Sequence, residues 1–383
     1  MNTLKFGNGE WYGKKDTILA YNDLNSNFKP LPFSFDRASS ATVINKAGLI
    51  ETVGSGEPRI DYKDDSKGAL KLEPSRVNYV NNSNNASIWS SITSGGTITR
   101  ASNYAISPDG TQNATRLQAS VSGSGYALIT LAITSAFDGN YTSTVYVKSN
   151  TNSNQEIAFY GRNSTNNAHT VGSEWTRIEF QGSSASGQSN YAYLGVSTSV
   201  TNEDNPIDIL VWGGQVEQGS YATSYIPTSG GVVTRSKPIV SSSDLSAKGI
   251  INSTEGTYFI DIKFPSMPTR DASTGGFVLG SDNSFPSPQG LEIATDLDGS
   301  LRIGKRDGSF IQIFDTTNGV YHKIAFKWDL LNVKLFVDGI LQYTGTYSAT
   351  PFKYLYSDTG DGSKIIKDIK LYNTALTDQE LIN

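Results

Sequence analysis

Aromatic, basic and acidic side chains on short alternating segments are the residues of this sequence that could do chemistry. Aromatic rings can stack on the apolar faces of sugar rings, and amide, carboxylate and Arg groups can hydrogen-bond sugar hydroxyls. Aromatic residues on alternating strands more often pack in a core or against a neighbouring strand, so exposure decides between the two roles. The candidates for sugar binding are Tyr104, Tyr126, Tyr160, Arg162, Trp175, Tyr191 and Tyr193.

Two acidic turns, TDLDGS at 295–300 and SDTGDGS at 357–363, could offer oxygen ligands to a calcium ion. Asp and Gly are also favoured in turns for backbone reasons, and neither stretch is a complete calcium-loop motif. Ca²⁺ is therefore the one cofactor that the sequence suggests, and a chain without any cofactor is the alternative. The candidate metal ligands are Asp296, Asp298, Asp358 and Asp361.

Catalytic constellations are scarce in this sequence. It has no cysteine, and its two histidines, His169 and His322, fall in different predicted domains, which argues against a Ser-His-Asp triad or a two-histidine metal site. Glycoside hydrolysis needs a carboxylate pair across a cleft, and no strand carries a tight E-x-D-x-x-E cluster. We therefore predict that the chain is not an enzyme, and glycoside hydrolysis stays open as the alternative.

Short β-strands are the elements that must position these side chains. The chain is rich in Gly, Ser, Thr and Asn turns, and heptad patterns are missing. In NVKLFVDGILQYTG, Asp338 and Gly339 separate two alternating runs, which predicts a two-residue hairpin. Only the end of the chain predicts a helical turn, where Thr377 could cap and Glu380 follows three residues on.

The predicted fold class is all-β: an irregular N-terminal β segment followed by two β-sandwich (jelly-roll) domains. At 383 residues the chain is too long for one ordinary core. The polar stretches NNSNNAS at 81–87 and TRSKPIVSSSDLSAKG at 234–249 are the predicted linkers. They divide the chain into segments 1–85, 86–236 and 237–383.

Charge and hydropathy exclude some partners. The formal net charge is −5 and Lys and Arg are scattered, which argues against nucleic acid as a partner. No apolar run is long enough to insert in a membrane, and the N-terminus lacks a secretory signal. We therefore expect synthesis in a cytoplasm, and a role outside the cell would need release by lysis or within a particle.

Three segments together resemble proteins of tailed bacteriophages and prophages. The first is FDRASSATVINKAGLIETVGSGEPRIDY with GALKLEPSRVNYVNNS, within residues 35–83. It is similar to a phage segment with an R-A-S-x-A-T start, a G-L-I piece, P-R-x-D-Y and an E-P-x-R-x-N close. The matching positions are Arg37, Ala38, Ser39, Ala41, Thr42, Gly48, Leu49, Ile50, Pro58, Arg59, Asp61, Tyr62, Glu73, Pro74, Arg76 and Asn78.

The second and third segments resemble two kinds of β-sandwich found in such proteins. Residues 88–236, closing with VWGGQVEQGSYATSYIPTSGGVVTRS, resemble carbohydrate-binding-like jelly rolls of phage fibres. YHKIAFKWDLLNVKLFVDGILQYTG with IKDIKLYNTALTDQEL resembles a concanavalin A-like, laminin-G-like sandwich. We expect Trp89, Trp212 and Trp328 to be core anchors, and Tyr221 and Tyr225 to seal the end of the jelly roll.

The resemblance implies a virion protein: a fibre, spike or decoration protein of the tail or head that binds glycans of the bacterial surface. Segment 1–85 would anchor it to other virion proteins. A homo-oligomer is expected, with a trimer preferred and a dimer as the alternative. A purely structural decoration or assembly protein without sugar binding, and a polysaccharide depolymerase, are the alternative functions.

Overall fold

The structure is a computed structural model. It describes residues 2–5, 13–14, 17–22, 27–30, 33–132, 138–161, 167–184, 191–200, 205–247, 249–252, 254–265, 274–280, 290–295, 301–305, 311–314, 319–346, 352–357 and 362–382. The fold class is all-β, as the sequence predicts, with many strands and one short α-helix in the described ranges. No helix there is long and apolar enough to span a membrane.

The strands and the helix follow one another in this order: β1 (Asn2–Lys5), β2 (Gly13–Lys14), β3 (Thr17–Asn22), β4 (Asn27–Pro30), β5 (Phe33–Asp36), β6 (Ala41–Ile44), β7 (Ile50–Val53), β8 (Ile60–Asp61), β9 (Ala69–Leu72), β10 (Arg76–Asn78), β11 (Ser90–Ala105), β12 (Ala114–Ala132), β13 (Gly139–Ser149), β14 (Gln155–Gly161), β15 (Ala168–Val171), β16 (Thr176–Ser184), β17 (Tyr191–Ser197), β18 (Ile207–Gln218), β19 (Val233–Arg235), β20 (Ile239–Ser242), β21 (Glu255–Lys263), β22 (Thr274–Gly280), β23 (Gly290–Thr295), β24 (Leu301–Lys305), β25 (Ile311–Phe314), β26 (Tyr321–Asp329), β27 (Asn332–Val337), β28 (Ile340–Thr346), β29 (Tyr354–Ser357), β30 (Lys364–Tyr372) and α1 (Asp378–Ile382). A short 3₁₀ helix occupies Ala86–Ile88.

The chain forms two compact units. Unit 1 contains residues 1–48, 52–75 and 236–383, and unit 2 contains residues 49–51 and 76–235. The segment predicted as a separate N-terminal domain contributes strands to unit 1, because β1 and β9 pair with β30 and β5 pairs with β20. β1 and β9 thus satisfy their backbone groups on the longer strand β30, and β5 does so on β20.

Unit 1 has two large sheets around one core. The first, sheet 1A, has the strand order β28-β27-β26-β21-β30-β9-β8, with β1 also on β30. The second has the order β25-β24-β23-β22-β29-β20-β5. Residues of both sheets, such as Ile260 and Leu291, belong to the same buried cluster, and Trp328 lies in it as the sequence predicts. On β21 the buried Tyr258, Ile260 and Ile262 alternate with less buried residues, the pattern of a strand with one core face.

Two local predictions at the end of unit 1 are confirmed. Asp338 and Gly339 have φ values of 51° and 77° and connect the paired strands β27 and β28. The backbone N–H of Thr377 donates to the carboxylate of Glu380 over 2.8 Å, and α1 begins at the next residue. These are the positive-φ hairpin turn and the reciprocal helix cap that the residue types favour.

Unit 2 contains the two-stranded sheet β10-β19 and an eight-stranded sheet folded into two leaves, in which β11 pairs along β12. The first leaf is β15, β14, β17 and residues 126–132 of β12; the second leaf is residues 115–119 of β12, β18, β13 and β16. The rings of Phe159 on β14 and Phe180 on β16 lie 5.0 Å apart, although these strands are near opposite ends of the strand order. The sheet therefore closes into a sandwich with its core between the leaves.

The stretch that follows β18 covers the second leaf on the side away from the core. Tyr225 packs on Trp212 with ring centroids 4.7 Å apart, and its hydroxyl lies 2.6 Å from the Oγ of Ser83. Tyr221 and Tyr225 are buried, and so are Trp89 and Trp212. The predicted seal and the predicted tryptophan anchors are thus present, and burial raises the pKa of Tyr225.

Residues of the sequence motifs that resemble phage proteins form buried hydrogen bonds in unit 2. The amide of Asn78 donates to the carbonyls of Gly214 and Ile226 over 3.1 and 2.8 Å. The backbone N–H of Thr223 donates to the buried carboxylate of Glu217 over 2.8 Å. Because buried polar groups need partners, these motif residues serve the fold of unit 2.

We predict that Tyr225→Phe lowers the free energy of unfolding of unit 2 by about 1–2 kcal/mol, because the Ser83 hydroxyl keeps the N–H of Thr228 but loses its bond to the Tyr225 hydroxyl. Urea unfolding followed by tryptophan fluorescence would report it, since Trp212 contacts the Tyr225 ring. Tyr104→Phe, at an exposed ring, is the matched control. Equal stability of the two variants would contradict the proposed role of the seal.

Candidate functional site

Three of the predicted aromatic residues come together on the outer face of the first leaf of unit 2. Tyr126, Tyr160 and Tyr193, here called the tyrosine platform, are half-buried and pack against a small buried cluster of Leu128, Ala158 and Val200. The rings of Tyr160 and Tyr193 have centroids 5.5 Å apart and planes 39° apart. This arrangement leaves aromatic surface available on a rigid support.

Strand register explains why these tyrosines meet. Tyr160 on β14 lies directly opposite Tyr193 on β17, and Tyr126 on β12 lies opposite Ser197 at the end of β17. Side chains alternate along a strand, so the buried Phe159 and Leu194 point into the core while their neighbours point outward. The core contacts of one face thus fix the position of the platform on the other.

Gly195 forms the floor between the tyrosines. It lies opposite Ala158 on one side and Leu128 on the other. Its φ is +148°, and a Cβ there would lie 2.3 Å from the carbonyl oxygen of Ala127. Only glycine fits this position without a shift of the backbone.

Hydroxyl groups line the edge of the platform. The hydroxyls of Ser197 and Ser199 lie 2.8 Å apart, and the hydroxyl of Thr130, opposite Tyr193, donates to the carbonyl of Ser90 over 3.3 Å. Ser197 and Thr130 are buried, so their hydroxyls hold the strands beneath the platform together. The half-exposed aromatic rings suit a ligand with apolar ring faces.

Two other predicted residues lie away from the platform. Tyr104, 45% exposed, stands near the end of β11 with the guanidinium of Arg116 5.0 Å above its ring. Arg116 forms an ion pair with Asp208, which holds the pKa of that carboxyl below its usual value. The indole N–H of Trp175 donates to the carbonyl of Ile106 over 3.1 Å. Trp175 therefore has a structural partner.

The remaining predicted residues fall outside the described part of the chain. This holds for Arg162 and for the side chain of Tyr191, whose backbone pairs with Ala132. It also holds for the four predicted calcium ligands Asp296, Asp298, Asp358 and Asp361. Among the residues that are described, no group of three His, Asp or Glu side chains could hold a metal. Calcium binding stays a prediction.

A cleft in unit 1 is a feature that the sequence did not predict. It has a volume of about 930 Å³ and lies on the side of sheet 1A away from the core. Asp261, on β21, lies opposite Lys323 on β26 and Asp368 on β30. Burial raises the pKa of Asp261, and the charge of Asp368 adds to this while Lys367 opposes it. Within the described ranges, its Oδ1 atom is buried without a hydrogen-bond partner.

The fold and these surfaces define an all-β protein of two sandwich-like units, one of which has an aromatic outer face. No protein-family model and no curated protein matches the chain.

Several solved structures are similar to part of the chain. Domain 4 of AbnA, an extracellular arabinanase from Geobacillus stearothermophilus in complex with arabinotriose, is 16% identical with a TM-score of 0.30, over 38% of this chain and 71% of that one. The receptor-binding domain of a botulinum neurotoxin C/D mosaic is 12% identical with a TM-score of 0.29, over 38% and 39%. The CBM40 of the Ruminococcus gnavus IT-sialidase, bound to α2,3-sialyllactose, is 21% identical with a TM-score of 0.28, over 37% and 89%. These likenesses identify neither the family nor the ligand of this chain.

We predict that Asp261→Asn stabilises unit 1 by about 1 kcal/mol at neutral pH, because it removes a buried carboxylate whose Oδ1 lacks a partner. The folded-state pKa of Asp261 is raised, so wild-type stability falls as pH rises through the ordinary Asp range to that raised pKa. The advantage of the variant should therefore disappear below the ordinary Asp range.

Thermal unfolding at several pH values would check this prediction. Asp329→Asn removes an exposed carboxylate from the same sheet and is the control. An Asp261→Asn protein less stable than wild type at neutral pH would show that the carboxylate has a stabilising partner after all.

Proposed function

We propose that the chain is a saccharide-binding protein of a tailed-phage virion, and that the tyrosine platform of unit 2 contacts glycans of the bacterial surface. The observation that carries this proposal is the contrast between the two outer faces of unit 2. On the second leaf, Tyr225, in the stretch that follows β18, packs on Trp212 and both side chains are buried. On the first leaf, three half-buried tyrosines surround a glycine floor.

The composition of the platform supports saccharide as the ligand class. The three tyrosines are half-buried and their rings are supported from below by Leu128, Ala158 and Val200. A protein partner would require a larger apolar area than three rings supply. A pyranose ring offers apolar C–H faces that can stack on the tyrosine rings.

The virion setting is supported by the three sequence segments that resemble phage proteins. In this proposal the protein is a fibre or decoration protein of the tail or head, made in the host cytoplasm and assembled with other virion proteins. A homo-oligomer, with a trimer preferred, would repeat the platform and raise the avidity for a repetitive polysaccharide.

We predict that the double variant Tyr160→Ala/Tyr193→Ala binds host polysaccharide at least about tenfold more weakly, because two stacking contacts are lost and each costs about 1 kcal/mol or more. The measurement is the affinity of the full-length protein for purified capsule and lipopolysaccharide from strains whose cells it adheres to. Tyr104→Ala removes an exposed tyrosine away from the platform and should leave the affinity unchanged.

Two results would count against this function. One is a double variant that is folded, by circular dichroism, and binds as tightly as wild type. The other is a wild-type protein that adheres to no strain in a broad panel, which would favour a purely structural virion role.

The proposal is binding without cleavage, and incubation of the protein with a bound polysaccharide tests this point. Polysaccharide length and reducing ends should stay constant. New reducing ends that disappear in Asp261→Asn would instead establish a depolymerase, because Asp261 and Asp368 are the carboxylates that face each other across strands in the cleft.

Immuno-electron microscopy of phage particles from the strain that encodes the chain tests the virion setting. An antibody against the protein should label the tail or the head. Labelling confined to material outside the particles would contradict the setting and leave the saccharide-binding part of the proposal standing.

A further inference from the structure

A lysine and two carboxylates of unit 1 meet beside strands β8 and β9. The Nζ of Lys71 lies 3.2 Å from the Oδ2 of Asp61 and 3.9 Å from the Oε1 of Glu73. The side chains of Asp61 and Glu73 are 7% and 3% exposed, and that of Lys71 is 14% exposed. An amine and two carboxyl groups are thus held together where little water reaches them.

The pairing of β8 with β9 brings the amine of Lys71 to the carboxyl of Asp61. Asp61 lies opposite Ala69, and Lys71 is two residues further along β9. Side chains two residues apart in a strand lie on the same face, so Asp61 and Lys71 share one face of the hairpin. The other face carries Leu70, which belongs to the core of unit 1. Core packing on one face therefore fixes the amine and the carboxyl on the other.

Two backbone N–H groups hold the carboxyl of Asp61. The N–H of Lys63 donates to Oδ1 over 2.9 Å, and the N–H of Ile44 donates to Oδ2 over 3.3 Å. A nucleophile that adds to the carboxyl carbon places negative charge on these oxygens, and fixed N–H donors stabilise that charge. The carboxyl carbon is bonded to Oδ2, so the amine of Lys71 has this carbon within reach.

The carboxylate of Glu73 is placed to carry protons. Arg59 donates through Nη1 to the Oε2 of Glu73 over 2.7 Å and through Nη2 to the carbonyl of Thr42 over 2.6 Å. The other oxygen of Glu73, Oε1, is the one that lies 3.9 Å from the amine of Lys71. After a small movement this oxygen can take a proton from the ammonium group and give it to an oxygen of Asp61.

We propose that Lys71 and Asp61 join in the folded chain through an amide (isopeptide) bond, with Glu73 as the proton carrier. The bond between Nζ and Cγ forms, and one Cγ–O bond of Asp61 breaks. Two protons of the ammonium group leave with that oxygen as a water molecule, so the step needs no oxidant, reductant or other reactant. Because the two groups are already in contact, the step is unimolecular.

The bond would be a covalent cross-link in a chain that has no cysteine. It would close the loop of residues 61–71 and join β8 to β9, which pairs in turn with β30. A cross-link of this kind restricts the unfolded chain more than the folded one. It involves no residue of the tyrosine platform and goes beyond the proposed function without depending on it.

A second ion pair of unit 1 serves as the comparison. The Nζ of Lys263 lies 2.6 Å from the Oδ2 of Asp64, closer than Lys71 is to Asp61. Asp64 is 36% exposed, and among the described residues no second carboxylate lies within ion-pair distance of Lys263. We expect no amide there, because water reaches the carboxylate and no neighbouring group is placed to carry the proton.

The test is the intact mass of the full-length protein, purified in its folded form and unfolded before the measurement. Wild type should have a mass lower by one water, about 18 Da, than its sequence requires. Trypsin should not cleave after Lys71, and the digest should contain residues 68–76 linked to residues 60–63. Tandem mass spectrometry of this branched peptide locates the bond.

Three variants test the roles of the individual groups. Lys71→Arg keeps a positive charge beside Asp61 but has no amine, so this variant should have its full mass. Glu73→Gln keeps the size of the side chain and should form the bond at least about tenfold more slowly, measured as the cross-linked fraction at intervals after synthesis. Lys263→Arg, at the comparison pair, should lose the water as wild type does.

A folded wild type that has its full mass and is cleaved normally after Lys71 would overturn the proposal. A loss of water that persists in Lys71→Arg would overturn it too, because the dehydration would then lie elsewhere in the chain. Equal rates for Glu73→Gln and wild type would contradict the role of Glu73. Failure of the tyrosine platform to bind polysaccharide would leave all of these masses unchanged, so the two proposals fail separately.

Discussion

The contact between Phe159 and Phe180 closes the β-sheet of unit 2 on itself, and the surfaces of that unit depend on this closure. In the folded sheet, every second side chain of β14, β17 and β12 lies in the core. The residues between them must then form an outer face. On the second leaf that face is covered by Tyr225 and its neighbours, and on the first leaf it carries Tyr126, Tyr160 and Tyr193.

The sequence predicted the outward face of Tyr193 and the burial of Tyr225, while the side chain of Tyr191 lies outside the described residues. Alternation along the sequence predicts that Tyr191 and Tyr193 lie on one strand face. The stretch GSYATSYIPT, which follows β18, predicts that Tyr225 packs against the sandwich. The sequence did not predict that Tyr126 and Tyr160 join Tyr193, because this needs the register between strands that are distant in the sequence. Periodicity within one strand contains no information on which strand becomes its neighbour.

The cleft of unit 1 was not predictable for the same reason. Asp261, Lys323 and Asp368 lie on three strands that are far apart in the chain, and only their pairing brings the charges together. The same dependence on strand pairing explains why the predicted N-terminal segment, residues 1–85, is divided between the two units. Its strands β1, β5 and β9 are too short to form a domain of their own, and they complete sheets whose other strands come mostly from residues 239–372.

The most direct test of the central claim is NMR of the full-length protein with ¹³C-labelled tyrosine rings, titrated with polysaccharide from a strain that the protein adheres to. The ring signals of Tyr160 and Tyr193 should shift together, since these rings lie 5.5 Å apart on the exposed face of the leaf. The signals of the buried Tyr141 and Tyr225 should stay unchanged. Polysaccharide binding that leaves the signals of Tyr160 and Tyr193 in place would contradict the claim that the tyrosine platform is the saccharide site.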